Sequence, residues 1–278
     1  MRPAKPLALA QALALRVEAE GRQLFAASLR VHAAICESKS EDDFSTVADR
    51  ATERRLQRAL REIDPSAGFL GEESAERFQP QEWNWVVDPI DGTSNFEAGV
   101  GVFGIAAAWV DRKGSVHAAA CFDGRTQQCY FAAAGQGAWR LAAPRPIRWR
   151  CIKSAASPTG PRALVGVQWD RRRRPTLLSR VSDYPGKLRV LGCTVSQILA
   201  AAHGAFAVAM QDRGKIWDLA APALIAKEAG ARVVMLDGSP LLPFPADALL
   251  HPDRDYSVLV GAVQAVRSVR RHLAAGAR

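Results

Sequence analysis

The 278-residue chain is predicted to fold as a layered α/β protein. Three observations lead there. Two stretches of helical periodicity open the chain, closely spaced aromatic and β-branched runs follow, and the second half alternates strand-like with helix-like segments. Composition is 48% hydrophobic and 23% charged, which excludes a largely disordered, collagen-like or coiled-coil chain. A chain this long hides about three-quarters of its unfolded surface, so it needs no disulfide or metal staple to build a core.

From Leu7 to about Cys36, Leu9, Leu13, Val17 and Leu24 recur at helical spacing. The apolar start, Leu7 to Leu15, resembles a secretion signal, but Gln11 interrupts it and Arg16, Glu18 and Glu20 follow, so it reads as helix. Ser38 to Asp43 is a charged break. A second helix is expected from Thr46 to Ile63, with Asp49 in its first turn, stopping before Asp64-Pro65. Phe69-Leu70 is a short apolar run. Strands are expected at Trp83 to Val87, Val102 to Val110, Ser115 to Phe122 and Gln128 to Ala132, with Asp123-Gly124 as a hairpin turn. Gly135 to Trp139 reads as turn and strand, and Pro144 to Pro146 breaks the pattern.

The second half gives strands at Ala163 to Gln168, Lys187 to Leu191, Ala205 to Met210, Arg232 to Leu236 and Tyr256 to Val260. Helices are expected at Thr176 to Ser182, Thr194 to His203, Trp217 to Glu228 and Val263 to Leu273. A soft boundary near Arg150 divides an N-terminal half, 1–150, from a C-terminal half, 151–278, within one unit.

Five cysteines, Cys36, Cys121, Cys129, Cys151 and Cys193, form no CxxC pair, so they read as free thiols in a reducing cytoplasm. No apolar stretch approaches about 18 residues, so no membrane span is expected. The net charge of +9 favours anionic partners without choosing among them. The basic run Arg171 to Arg174 lacks interleaved aromatics and reads as a solvated loop.

Chemistry concentrates in Trp85-Val86-Val87-Asp88-Pro89-Ile90-Asp91-Gly92-Thr93. A buried strand delivers two carboxylates to its end, Pro89 forces a turn, Gly92 permits close approach, and Thr93 or Ser94 can cap a following helix. Amides at such a turn attract an anion that the carboxylates repel, and divalent cations reconcile the two. Taken alone, the segment is also simply a turn. Gly71-Glu72-Glu73-Ser74 adds a second acidic pair. Trp217-Asp218 opens a small-residue helix with Asp218 read as its N-cap and Pro222 near its first turn.

Together these segments, with Glu228-Ala229-Gly230, resemble the inositol monophosphatase family of magnesium-dependent, lithium-sensitive phosphatases, over roughly Leu24 to Leu273. The resemblance implies an αβαβα sandwich with the α+β sugar-phosphatase topology, a cytoplasmic homodimer, and hydrolysis of a small phosphorylated metabolite with two or three Mg2+ per site, Mn2+ being a substitute. It implies that Glu72, Asp88 and the carbonyl of Ile90 hold one ion and Asp88, Asp91 and Asp218 a second. It further implies that Gly92 and Thr93 offer amides to the phosphate, that Thr93 orients the attacking water with Asp49 as its partner, and that Glu73 stands behind them or at a weaker metal position. Ser94, Gly192, Cys193, Thr194 and Gln211 would face the substrate. Gln211 stands where inositol-specific members carry a glutamate, and Arg213 and Lys215 lie near it. A nucleotide or sugar bisphosphate is therefore an alternative substrate. Some members of the family partner RNA or transcription machinery, but the acidic set gives a pure binding protein no physical advantage. His32, His117, His203, His251 and His272 fall outside the motifs.

Overall fold

The computed structural model of the chain describes residues 6–35, 44–142, 147–149, 160–168, 181 and 183–275. The break at Ser38 to Asp43, the one at Pro144 to Pro146, the boundary near Arg150 and all of Thr176 to Ser182 except Val181 lie outside the described residues.

Helices α1 (Pro6–Ile35) and α2 (Phe44–Ile63) cover one face of a seven-stranded sheet. Its strands are β1 (Gly68–Gly71), β2 (Trp83–Asp91), β3 (Gly104–Asp111), β4 (Val116–Asp123), β5 (Gln128–Ala133), β6 (Gly137–Arg140) and β7 (Ile147–Trp149), lying side by side in chain order. β1 runs parallel to β2, and from β2 onward each strand is antiparallel to the next. The short α3 (Thr93–Glu97) follows β2 directly.

Side chains alternate across a strand, and that alternation sets the layers. Trp85 and Val87 of β2, Ile105, Ala107 and Trp109 of β3, and Phe122 of β4 meet Leu9, Leu13, Val17, Leu56 and Leu60 of the first two helices. Their neighbours Val86, Ala106, Ala108, Ala119 and Cys121 face the other way, onto α4 (Thr194–His203) and α5 (Ile216–Glu228). Mostly alanine on that face lets the alanine-rich α5 approach the sheet closely.

The second sheet has the order β11 (Arg232–Met235), β12 (Tyr256–Gly261), β10 (Val208–Gly214), β8 (Leu164–Val167), β9 (Lys187–Arg189). Ala209, Val258 and Val260 face α4 and α5, while Val165, Val208, Met210 and Leu259 pack on Val266, Val269 and Leu273 of α6 (Val263–Ala275). The stack is therefore helix, sheet, helix, sheet, helix, the αβαβα order that the resemblance implied.

Three local expectations need correction. α2 begins at Phe44, two residues early, so Asp49 lies in its second turn. Asp218 is the third residue of α5, and Lys215 is its N-cap. Pro222 lies inside α5, where it removes the bond to the Asp218 carbonyl four residues back.

Glu228 ties the far end of α5 to the meander. Its two carboxylate oxygens accept the amides of Gly135 and Gly137, each at 2.8 Å, across the β5–β6 turn. Glutamine can accept only one of them and sets its own NH2 against the other. Glu228→Gln is expected to cost about 1–3 kcal/mol, read as a lower midpoint in urea unfolding. An unchanged midpoint contradicts the clamp.

Candidate metal centre

The register of the first parallel pair places two carboxylates together. Gly71 lies opposite Val87, so Glu72, just past the end of β1, comes beside Asp88, which is still within β2. Asp88 and Asp91 are three apart and would point to opposite faces of a regular strand. Asp88 pairs with Ala106 and Asp91 with Gly104, so β2 carries one extra residue, and this bulge brings Asp91 back to the face of α4 and α5. Pro89, without an N–H, suits a stretch where the ladder is already interrupted. Asp218 arrives from the N-terminus of α5, its Oδ2 accepting the Lys215 amide at 2.7 Å. A carboxylate in the first turn is favoured by the helix dipole.

Glu72, Asp88 and Asp218 each present a carboxylate oxygen within 4.8 Å of the others. Burial and the facing carboxylates raise all three. Glu72, exposed on one side, is pushed up to about 8 by desolvation of its carboxyl within the cluster and by Asp218; Asp218 is raised to about 7 by burial and by Asp91, and the wholly buried Asp88 well above the usual carboxylate range by burial and by Glu72. Carboxyls this close are not all ionised together unless a proton or a cation lies between them. The arrangement is stable with protons or with a cation in place of them. An all-oxygen, all-carboxylate donor set fits magnesium or manganese, not zinc.

Asp91 stands beside this triad and not within it. Its oxygens accept the amides of Thr194 at 3.0 Å and Val195 at 2.5 Å, and the Cys193 thiol lies 3.0 Å away. The carboxylate thus sits on the N-terminus of α4, and burial raises its pKa even so. The Ile90 carbonyl accepts the Thr93 hydroxyl at 3.0 Å. The Asp49 carboxyl lies beside Thr93 and is pushed up to about 7 by burial and then by Glu73 and Glu97. Thr93 and Asp49 thus lie near one another.

Neither Thr93 nor Ser94 caps α3; the N-cap is Gly92, in the left-handed region at φ +85°. A Cβ there would also lie 3.0 Å from the Gly192 carbonyl and 3.1 Å from the Cys193 side chain, so position 92 needs glycine twice over. The first N–H groups of a helix lack partners within it, which leaves those of Thr93 and Ser94 available to an anion. Asn95, which the sequence reading overlooked, fastens this turn to the second half. Its amide donates to the carbonyls of Val102 at 2.9 Å and Leu191 at 2.7 Å.

On the substrate side, Gln211 is fully buried on β10, with its carbonyl oxygen 3.5 Å from the Thr194 hydroxyl. Arg213 is exposed and Lys215 partly so, and neither is unpaired. Both pair with Asp255, at 2.5 and 2.9 Å, and Lys215 also bonds the Asp253 carbonyl. Glu53, one turn beyond Asp49 on α2, was also missed. Its Oε2 accepts the Glu73 amide at 2.9 Å and it takes a hydrogen bond from Ser74. The four-residue spacing from Asp49 is the one signal in the sequence that could have pointed to it.

The profile of the inositol monophosphatase family matches residues 5–270. A histidinol-phosphatase from Mycobacterium tuberculosis is 33% identical over 242 residues, covering 84% of this chain and 88% of the relative. A putative Nus factor SuhB from Neisseria meningitidis serogroup B is 30% identical over 225 residues, 78% of this chain and 83% of the relative. The extragenic suppressor protein SuhB from Bartonella henselae superposes with a TM-score of 0.74 at 22% identity, covering 96% of this chain and 98% of that one, a likeness of fold.

Proposed function

Because the chain belongs to the inositol monophosphatase family, we propose that it is a divalent-metal-dependent phosphomonoesterase acting on a small phosphorylated polyol, amino alcohol or sugar. The observation that carries this reading is the convergence of Glu72, Asp88 and Asp218 within 4.8 Å, beside the Asp49–Thr93 pair.

Glu72, Asp88 and Asp218 would hold magnesium, with Asp91 and the Ile90 carbonyl as further donors once Asp91 and Thr93 give up their present bonds. Magnesium bound there would supply positive charge against the phosphate oxygens and make a nearby water more acidic. The chain's own groups do the rest. The opening amides of α3 orient the phosphate, and the Thr93 hydroxyl holds the attacking water. Asp49, poised near neutral pH, takes up a proton through Thr93. In the reaction, a bond forms between phosphorus and the water oxygen and the ester P–O bond breaks, with no covalent enzyme intermediate required.

The substrate side favours a single phosphate group. Arg213 and Lys215 are both engaged with Asp255, which offsets one of their two charges and weakens the case for a bisphosphate. Gln211, in place of a glutamate and fully buried against Thr194, brings no charge to this side of the site. The test is phosphate release with magnesium from histidinol phosphate, inositol 1-phosphate, fructose 1,6-bisphosphate and 3′-phosphoadenosine 5′-phosphate. A monoester is expected to exceed both bisphosphates in kcat/KM by about tenfold or more; hydrolysis of none of the four contradicts the reading. A second reading, docking to RNA or transcription proteins, draws on the Nus-factor relative and the +9 charge. Salt-dependent RNA binding that survives Asp88→Asn would support it.

A further inference from the structure

We propose that Glu53 is a positioning residue for the metal centre, a buried carboxylate on α2 that fixes the backbone on both sides of Glu72. The inference rests on reading Glu72, Asp88 and Asp218 as a cation site.

Glu53 is 6% exposed, and burial raises its pKa. A carboxylate placed there needs partners, and the ones it has all lie on the turn carrying Glu72. Oε2 accepts the Glu73 amide at 2.9 Å, and the Ser74 hydroxyl donates to the same side chain. On the other side of Glu72, a Cβ built on Gly71 would lie 2.1 Å from Glu53 Oε2 and 2.3 Å from its Cδ. The carboxylate therefore rests against the bare Cα of Gly71. Gly71 has an ordinary φ of −103°, so a side chain there would meet no backbone strain but would have to displace the Glu53 carboxylate.

The contact matters because Glu72 has little else to hold it. β1 ends at Gly71, and Glu72 begins a six-residue turn with no buried residue of its own. Asp88, by contrast, is fixed within a central strand, and Asp218 by the bond to its own N-cap. Of the three carboxylates that must converge, Glu72 alone depends on a neighbouring helix for its place. Asp49 and Glu53, one turn apart on α2, bond Thr93 and the Glu73–Ser74 turn respectively. One rigid helix thus sets the distance between the group that handles the water and the group that holds the cation.

The test is calorimetric titration of magnesium into metal-free protein, well below each variant's unfolding temperature. Glu53→Ala and Gly71→Ala approach the same contact from its two sides, and each is expected to weaken magnesium binding by about tenfold. Glu53→Gln keeps one acceptor for the Glu73 amide and is expected to stay within about threefold of the parent. Val266→Ala, a cavity in the distant α6 layer, is expected to lower the unfolding temperature and leave magnesium binding unchanged. Should Glu53→Ala fail to fold, Gly71→Ala and Ser74→Ala decide. Parent-like affinity in the folded Ala variants overturns the inference. Failure of the parent itself to bind magnesium overturns the cation site instead.

Discussion

Asp88→Asn is expected to reduce magnesium-dependent phosphate release by at least about a thousandfold, a barrier increase of about 4 kcal/mol. Asp88 is the buried member of the triad with Glu72 and Asp218, so an amide there removes one of its charges and turns an NH2 toward the cation. The substitution keeps size and shape, and Asp88 is held by the central strand around it, so the circular dichroism spectrum should not change. Asp218→Asn is expected to follow the same course with a smaller loss, about a hundredfold. Asp91→Asn should behave differently. Its carboxylate holds the first amides of α4, so rate and unfolding temperature should fall together. An Asp88→Asn protein that keeps more than about a tenth of the parent rate contradicts the account.

Metal removal should produce the second large effect, and it should depend on pH with a definite sign. Glu72, Asp218 and Asp49 rise to about 8, 7 and 7 in the folded protein from ordinary values of 4.5, 3.8 and 3.8. Between those limits the folded state binds more protons than the unfolded one, so the stability of the metal-free protein falls as pH rises. The stabilisation is complete below the ordinary carboxylate range and is lost as pH passes through 7 to 8. Magnesium competes with those protons, so it should bind weakly at pH 5.5 and strongly at pH 8.5. At a hundred times its dissociation constant it adds about 2.7 kcal/mol. Thermal unfolding with chelator should therefore show a midpoint that drops between pH 5.5 and 8.5, and excess magnesium should restore it at the upper end. A chelated midpoint that rises over that range would contradict the assigned carboxyl environments.

The sequence made some of this architecture plain and left some hidden, for identifiable reasons. Strands with continuous apolar runs, such as Gly104–Asp111, and helices with clear ends, such as Thr194–His203, were legible because their signals are local. The parallel pairing of β1 was not, since four residues carry no sign of their partner. Nor was the bulge at Pro89-Ile90, which decides where Asp91 points. Glu72, Asp88, Asp91 and Asp218 were named from the motifs, but their unequal placement was not. Asp91 is drawn to the amides of α4, while Glu72, Asp88 and Asp218 meet. Asp218 read as an N-cap because an acid at the start of a helix accepts a backbone amide from either place; here it accepts that of the actual N-cap, Lys215. Glu53 left no mark because its partners are backbone amides and a missing Cβ, which no side-chain pattern encodes.

The most direct measurement is anomalous diffraction from crystals soaked in manganese, which scatters strongly and takes the same oxygen ligands as magnesium. The expected result is a peak bounded by the carboxylates of Glu72, Asp88 and Asp218, absent from crystals of the Asp88→Asn protein. Manganese bound elsewhere, or no ordered manganese among those three side chains at millimolar concentration and pH 8, would contradict it.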